Sequence, residues 1–246
     1  MSLPVHLVPT LAGVTVGSVV EVTGDEAHHA VVVRRLRVGE HVALTDGVGG
    51  WAVGPVVATD KRTLEVGISS VETLPRPEPD LLVIQALPKG DRGELAVEVL
   101  TEIGVGTIVP WAAERSVAVW RGERATKSLA KWRATAREAA KQARRASFPE
   151  VAELATTTEA HTLLRIVDLA VVLHEDAEVA LADLEVPETG TIALVVGPEG
   201  GLADTEVAHF ADAGAHVVRL GPEVLRTSTA GLAAAAVLLS RSPRWR

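Results

Sequence analysis

The chain has 246 residues, 47% of them hydrophobic, which is enough to bury one large core or two modest ones and excludes disorder as a description of the whole. It holds no cysteine, so a disulfide framework and a thiolate metal site are both excluded, and a reducing compartment fits. The net charge of -8 sets the average surface against a polyanionic partner, yet between Arg121 and Arg145 nine basic residues stand against two acids, Glu123 and Glu138.

The amino terminus, MSLPVHLVPTLAG, carries two early prolines and no basic stretch ahead of its apolar residues, which argues against a secretory signal. The longest apolar run, Ala230 to Leu239, is shorter than the ~20 residues needed to cross a bilayer. A soluble cytoplasmic protein is the expectation.

In chain order, the first predicted helix starts at the N-cap Asp25 and runs through EAHHAVVVRRLR to stop before Gly39. His28 and His29 are adjacent, about 100° apart on a helix, and cannot share a metal in the i, i+4 manner. The Val-rich runs EHVALTDG, WAVGPVVAT and RTLEVGISSVE read as strands, with TDGVGG as a turn. Residues 1–74 are therefore expected to form a small β-barrel with one helix. A seam follows, ETLPRPEPDLL, in which alternating Pro75, Pro77 and Pro79 favour an extended linker.

Residues 80–246 switch to strands alternating with helices, the pattern of a mainly parallel sheet covered on both faces. DLLVIQAL is a predicted strand and RGELAVEVLTEIG a helix, with Leu95, Val99, Leu100 and Ile103 inward and Gly104 as C-cap. GTIVPW is a second strand. KSLAKWRATAREAAKQARR is a long helix with Leu129, Trp132, Ala136 and Ala140 as its apolar stripe and its basic residues elsewhere, either a solvated face or a strip for phosphates. DLAVVLHE, GTIALVVG and AHVVRLG supply three more strands, and a last helix runs from about Ser228 through TAGLAAAAVLLS.

Those last three strands lead into the turns LHEDA, GPEGG and LGPEVLRTSTA. Ligands of open α/β sheets bind outside the carboxyl ends of strands, so the three turns are expected to line one pocket. Gly197, Gly200 and Gly201 permit close backbone approach to a ligand. Neither G-x-G-x-x-G nor G-x-x-x-x-G-K-[ST] is present, which argues against a ligand held by its phosphates.

The ordered set IQALPKGDRGELAVEVLTEIGV, ERSV, KWRATAREAAKQARR, VVGPEGG and LGPEVLRTSTA, with EAHHAVVVRRLRVGE upstream, resembles the ribosomal small subunit methyltransferase E family. That family belongs to the SPOUT class of RNA methyltransferases, which use S-adenosyl-L-methionine (AdoMet). The resemblance implies an α/β fold with a carboxy-terminal SPOUT-type parallel sheet containing a trefoil knot, an amino-terminal PUA-like β-barrel, a homodimer, and methylation of N3 of a uridine in 16S ribosomal RNA of an assembled or nearly assembled 30S subunit. No metal is implied. One departure is Ser228, where the family more often carries a glutamate.

Carried over by position, the resemblance assigns AdoMet to Leu173, His174, Glu175, Gly197, Glu199, Gly200, Leu220, Leu225 and Thr227. N3 of uridine carries a proton near neutral pH, so transfer requires its removal and stabilisation of charge on the ring. Arg226 suits the second task and Glu199 the first, or the orientation of the sulfonium. RNA phosphates are assigned to Arg34, Arg35 and Arg37 and to Lys131, Arg137, Lys141 and Arg144, with Lys89, Arg92 and Arg115 as further phosphate or base contacts. Aromatic residues are only 3% of the chain, too few for an extensive stacking platform. Two other readings share these features: a ribose 2′-O RNA methyltransferase on the same fold, and a non-catalytic RNA-binding assembly factor.

Overall fold

The computed structural model describes residues 3–245, and the chain divides into two compact units. The first contains the residues up to Arg76 together with Ala140–Phe148; the second contains Pro77–Ala139 and everything from Pro149 onward.

In the first unit the elements are β1 (Val5–Leu7), β2 (Val19–Thr23), α1 (Gly24–His28), β3 (His41–Thr45), β4 (Gly50–Asp60), β5 (Thr63–Gly67) and β6 (Ser70–Thr73). They form one mixed sheet in the order β1-β3-β4-β5-β2, with β6 also paired to β4. A register shift between Val56 and Ala58 lets the long β4 serve β3 and β6 with its first half and β5 with its second. The side chains of Val22, Val42, Leu44, Ala52, Leu64 and Val66 close on one core. The run read as a single strand, RTLEVGISSVE, is two strands broken at Ile68–Ser69: β5 pairs with β2 and the second half of β4, and β6 with the first half of β4.

The first helix is shorter than its sequence suggests. Its N-cap is Thr23, two residues before the expected Asp25, and the helix gives way to a π turn over His29–Val33 and ends at Arg34. Three consecutive β-branched valines crowd the preceding turn, and the backbone widens: Arg34 N–H bonds His29 C=O, Leu36 N–H bonds Ala30 C=O, and Arg35 sits at φ 58.

The second unit contains β7 (Asp80–Ala86), α2 (Arg92–Ile103), β8 (Thr107–Trp111), α3 (Glu123–Gln142, its last three residues in the first unit), β9 (Glu150–Val151), α4 (Thr157–Leu164), β10 (Leu169–Leu173), β11 (Thr191–Val196), α5 (Asp204–Asp212), β12 (His216–Val218) and α6 (Thr227–Arg241). Its six strands are all parallel, in the order β12-β10-β11-β7-β8-β9. Alternate side chains of each strand serve opposite faces. Leu81, Val83, Leu194 and Val196 pack with α2, α3 and α6; Ile84, Ala86, Val109 and Val195 pack with α4 and α5.

Gly104 ends α2 in the left-handed conformation, as expected, but the buried face of α2 is not the expected one. Gly93, Ala96, Val97, Leu100 and Thr101 are inside, Leu95 is exposed, and Val99 and Ile103 are half-buried. Close helix packing selects small residues: a Cβ placed on Gly231 of α6 would lie 3.1 Å from Leu100 Cδ2, and one on Gly93 would lie 2.9 Å from the Trp132 ring. On α3 the expected stripe of Leu129, Trp132, Ala136 and Ala140 is buried. Among the described residues no helix is long and apolar enough to cross a membrane.

Candidate functional site

The sheet order puts β12, β10 and β11 side by side, so the turns that leave their carboxyl ends meet. They form a single cleft, whose lining includes Leu173, His174 and Glu175 from the first turn, Gly197 to Glu199 and Gly201 from the second, and Leu220 and Leu225 from the third. Thr227 and Ala230, at the start of α6, close it.

The Gly-Pro-Glu-Gly-Gly loop is tied down from four directions. Thr227 Oγ1 donates to Gly197 C=O at 2.6 Å and itself accepts from Gln85 Nε2 at 3.1 Å, so the buried end of β7 sets the start of α6 and the loop together. Arg115 Nη1 donates to Leu202 C=O at 3.0 Å and more weakly to Gly200 C=O at 3.5 Å. Glu199 Oε1 accepts from Lys89 N–H at 3.1 Å and from Arg92 Nη1 at 3.4 Å. Glu206, 4% exposed, accepts from Glu114 N–H at 2.8 Å with one oxygen and from Ala203 N–H at 3.0 Å with the other. At φ +72 Gly201 occupies a conformation that other residues rarely adopt, and a Cβ there would lie 3.6 Å from Glu175 Oε1, between two walls of the cleft.

Of the residues named from sequence, Leu173, His174, Glu175, Gly197, Glu199, Leu220, Leu225 and Thr227 line this cleft. Gly200 does not: its α-carbon packs on Arg115, and Gly201 takes its place in the wall. Arg226 holds the N-cap of α6 between the lining residues Leu225 and Thr227; its side chain is exposed, with no hydrogen bond or ion pair among the described residues. Gln85 and Glu206 were missed. The signal for Gln85 was present, one amide inside the apolar strand DLLVIQA, whereas nothing near Glu206 in sequence marks it as the anchor of a loop.

The basic residues do not act as one set. Arg92 Nη1 and the backbone N–H of Lys89, not its ammonium, meet at Glu199, and Arg115 bonds loop carbonyls through Nη1. Lys131 is paired with Glu94 at 2.9 Å, and Arg137 lies 3.6 Å from Glu138, both with exposed cationic side chains. Lys141 is the clearest correction. Its side chain is only 9% exposed, and its Nζ lies 2.8 Å from Glu26 Oε2, while Glu26 Oε1 meets His6 Nδ1 at 3.0 Å. Burial opposes ionisation of Glu26, but the hydrogen bonds from His6 and Lys141 and the charge of Lys141 outweigh it and hold the carboxyl at about 2. An ammonium so committed is structural and unavailable to a phosphate. In the same unit Arg34 Nη2 reaches Gln142 Oε1 at 3.4 Å, and Arg34, Arg35, Arg37 and Arg144 are all exposed. Arg35 and Arg144, at φ 58 and 55, are the non-glycine residues with left-handed backbone among those described.

Comparison with known proteins gives a consistent picture. The family model for the RNA methyltransferase domain matches residues 76–239, and that for the RNA methyltransferase PUA domain matches residues 22–69. The chain is 43% identical to the Ribosomal RNA small subunit methyltransferase E of Mycobacterium bovis over 93% of its own length and 89% of that protein's. It is 29% identical to the protein of that name in Bacillus subtilis over 86% of each chain. Among solved structures, a Legionella pneumophila methyltransferase with its bound cofactor SAM superposes with a TM-score of 0.86 at 27% identity, covering 98% of this chain and 99% of that one. A Ribosomal RNA small subunit methyltransferase E from Neisseria gonorrhoeae bound to S-adenosyl methionine gives 0.85 at 28% identity, covering 97% and 98%.

Proposed function

The chain belongs to the ribosomal RNA small subunit methyltransferase E family, and from that membership we infer that its three-turn cleft holds AdoMet and that it methylates N3 of a uridine in small-subunit ribosomal RNA. The observation that carries the reading is the convergence of three separate turns on one cleft, in a chain whose solved relatives bind this cofactor.

The residues present fit the group. Leu173, Leu220 and Leu225 offer apolar surface to a purine ring, the backbone of the turns offers hydrogen-bonding atoms beside it, and Gly201 keeps the wall between Glu175 and the loop free of a side chain. When bound, AdoMet supplies an electrophilic methyl group on a sulfonium. The chain's own residues then have three tasks. Thr227, Gln85, Arg115 and Glu206 hold the loop in shape, a positioning role. On this reading Glu199 would take the N3 proton, a role supported by its free oxygen: Oε1 accepts from the Lys89 backbone N–H and from Arg92, and Oε2 has no hydrogen bond among the described residues. Arg226, uncommitted at the edge of the cleft, would balance charge on a uracil oxygen with its planar fork of donors.

The exposed Arg34, Arg35, Arg37 and Arg144 of the first unit contact phosphates in this reading, and the exposed Arg137 of the second unit does so separately. The same reading takes the assembled or nearly assembled 30S particle as substrate, in the cytoplasm, with a homodimer as the active species and a trefoil knot in the segment that forms the cleft. The test is methyl transfer from labelled AdoMet to 30S particles that lack the modification, followed by nucleoside analysis. Label on N3-methyluridine is the expected result. Label on a ribose oxygen, or no transfer by protein that binds AdoMet, overturns it.

A further inference from the structure

The turn that gives Lys89 N–H to Glu199 also lends Pro88, Gly90 and Asp91 to a second cavity of about 250 Å3 in the same unit. Against roughly 30 Å3 for each water, that is room for a planar ring system. Trp132 is fixed at its base, 2% exposed, with its ring resting on the α2 backbone where Gly93 has no Cβ. Trp120 meets that ring edge to face, centroids 5.0 Å apart and planes at 79°, and remains half-buried, with the rest of its indole available. Glu94 also lines the cavity. Its Oε1 takes Lys131 Nζ at 2.9 Å, while its Oε2 is sealed from solvent and has no hydrogen-bond partner. Oε1 is therefore the oxygen that a ligand can reach, and a ligand with an N–H edge would share it with Lys131, since a carboxylate oxygen accepts at two lone pairs. Arg124, exposed, and Lys131 add positive charge at the same wall.

An indole, a carboxylate acceptor and two cations around a ring-sized space are the parts that recognise a single unpaired nucleotide. We propose that this cavity is a second RNA subsite, which holds one base beside the residue being methylated, guanine by preference, stacked on Trp120 with its N–H edge on Glu94. Guanine presents two adjacent N–H donors on one edge; uracil presents one N–H between two acceptors. The proposal rests on the RNA methyltransferase reading above, and it places the subsite next to the reacting cleft because one turn serves both.

The test follows the indole N–H signals of 15N-labelled protein as GMP, AMP, CMP or UMP is added, with the Trp120 signal assigned by W120F. GMP is expected to shift that signal and UMP to shift it least, and E94Q, which keeps the side chain's shape, is expected to weaken GMP binding several-fold. On 30S particles, W120A is expected to raise KM about ten-fold or more while AdoMet affinity stays unchanged, and W120F to restore most of the loss. No movement of the Trp120 signal with any nucleotide overturns the proposal, as does an unchanged KM in a W120A enzyme that melts at the wild-type temperature. Failure of wild-type protein to methylate particles would instead strike the functional reading, because the nucleotide titration reports on the subsite without any methyl transfer.

Discussion

Arg226 has no partner among the described residues whose loss would disturb the fold, which makes it a clean probe of chemistry. Arg226→Ala is expected to lower single-turnover methyl transfer by about 10² to 10³, the scale of removing one donor to a developing oxyanion, while AdoMet affinity and melting temperature hold. Lysine at this position should rescue poorly, since the charge returns without the fork. A folded Arg226→Ala enzyme with near wild-type turnover removes the residue from the mechanism. Thr227 gives the opposite pattern. Thr227→Val leaves Gly197 C=O without the Thr227 donor and takes one of three acceptors from Gln85 Nε2, and a drop of about 1 to 3 kcal/mol in stability is expected, together with weaker AdoMet binding. Thermal melts and calorimetry on that variant check the two together. At this scale the apolar and glycine residues of the cleft were legible because turns after strands announce themselves. The residues that hold the turns were not, since Glu206 bonds an amide 92 positions away and Thr227 a carbonyl 30 positions away, distances across which a sequence pattern has no reach.

Helix α3 shows how an element can be read correctly and its charges misread. Its apolar stripe was plain from the spacing, but which of its cations are paired depends on carboxylates from elsewhere, Glu94 for the exposed Lys131 and Glu26 for the largely buried Lys141. Changing Arg137 and Arg144 together to alanine is expected to lower the slope of log RNA affinity against log salt by about 1 to 2, each phosphate contact contributing roughly 0.9 or somewhat less. Affinity measured across a salt series checks this, and AdoMet binding should not move. Lys141→Ala would confuse the result by unsettling the first unit. The shortened α1 and the rotated face of α2 share a cause with these misreadings: hydrophobicity marks side chains that want burial, but local crowding at Val31 to Val33 and close packing on Gly93 and Gly231 decide which backbone is available.

For the molecule as a whole, Glu26 sets an acid limit. Its folded value of about 2 lies below the ordinary 4.5, so ionised Glu26 contributes stability that is present in full above pH 4.5 and is lost as pH falls through about 2. Allowing for partial exposure, this amounts to about 2 to 3 kcal/mol. Denaturant titrations between pH 5 and 2 should show that loss in wild type and a flatter dependence in Glu26→Gln, which is less stable at neutral pH. Five of the six strands of the second unit were legible as apolar runs alternating with helical stretches, but the two-residue β9 and the insertion of β11 between β7 and β10 were not, because two residues carry no pattern and nothing in the composition of a buried parallel strand names its neighbours. Nor was the make-up of the first unit, which takes back Ala140–Phe148 long after the proline seam. Lys141 joins Glu26, Ala146 C=O accepts from Thr45 Oγ1, and the Phe148 ring lies 3.3 Å from where a Cβ on Gly47 would be. Domains commonly mature in the order in which a ribosome makes them, the amino-terminal one first. Here that order is interrupted: a nascent chain that ends at the seam lacks the lysine that pairs with Glu26, and the first unit is completed only when the chain has been made as far as Phe148, by which point two of the six strands of the second unit's sheet, β7 and β8, have been made.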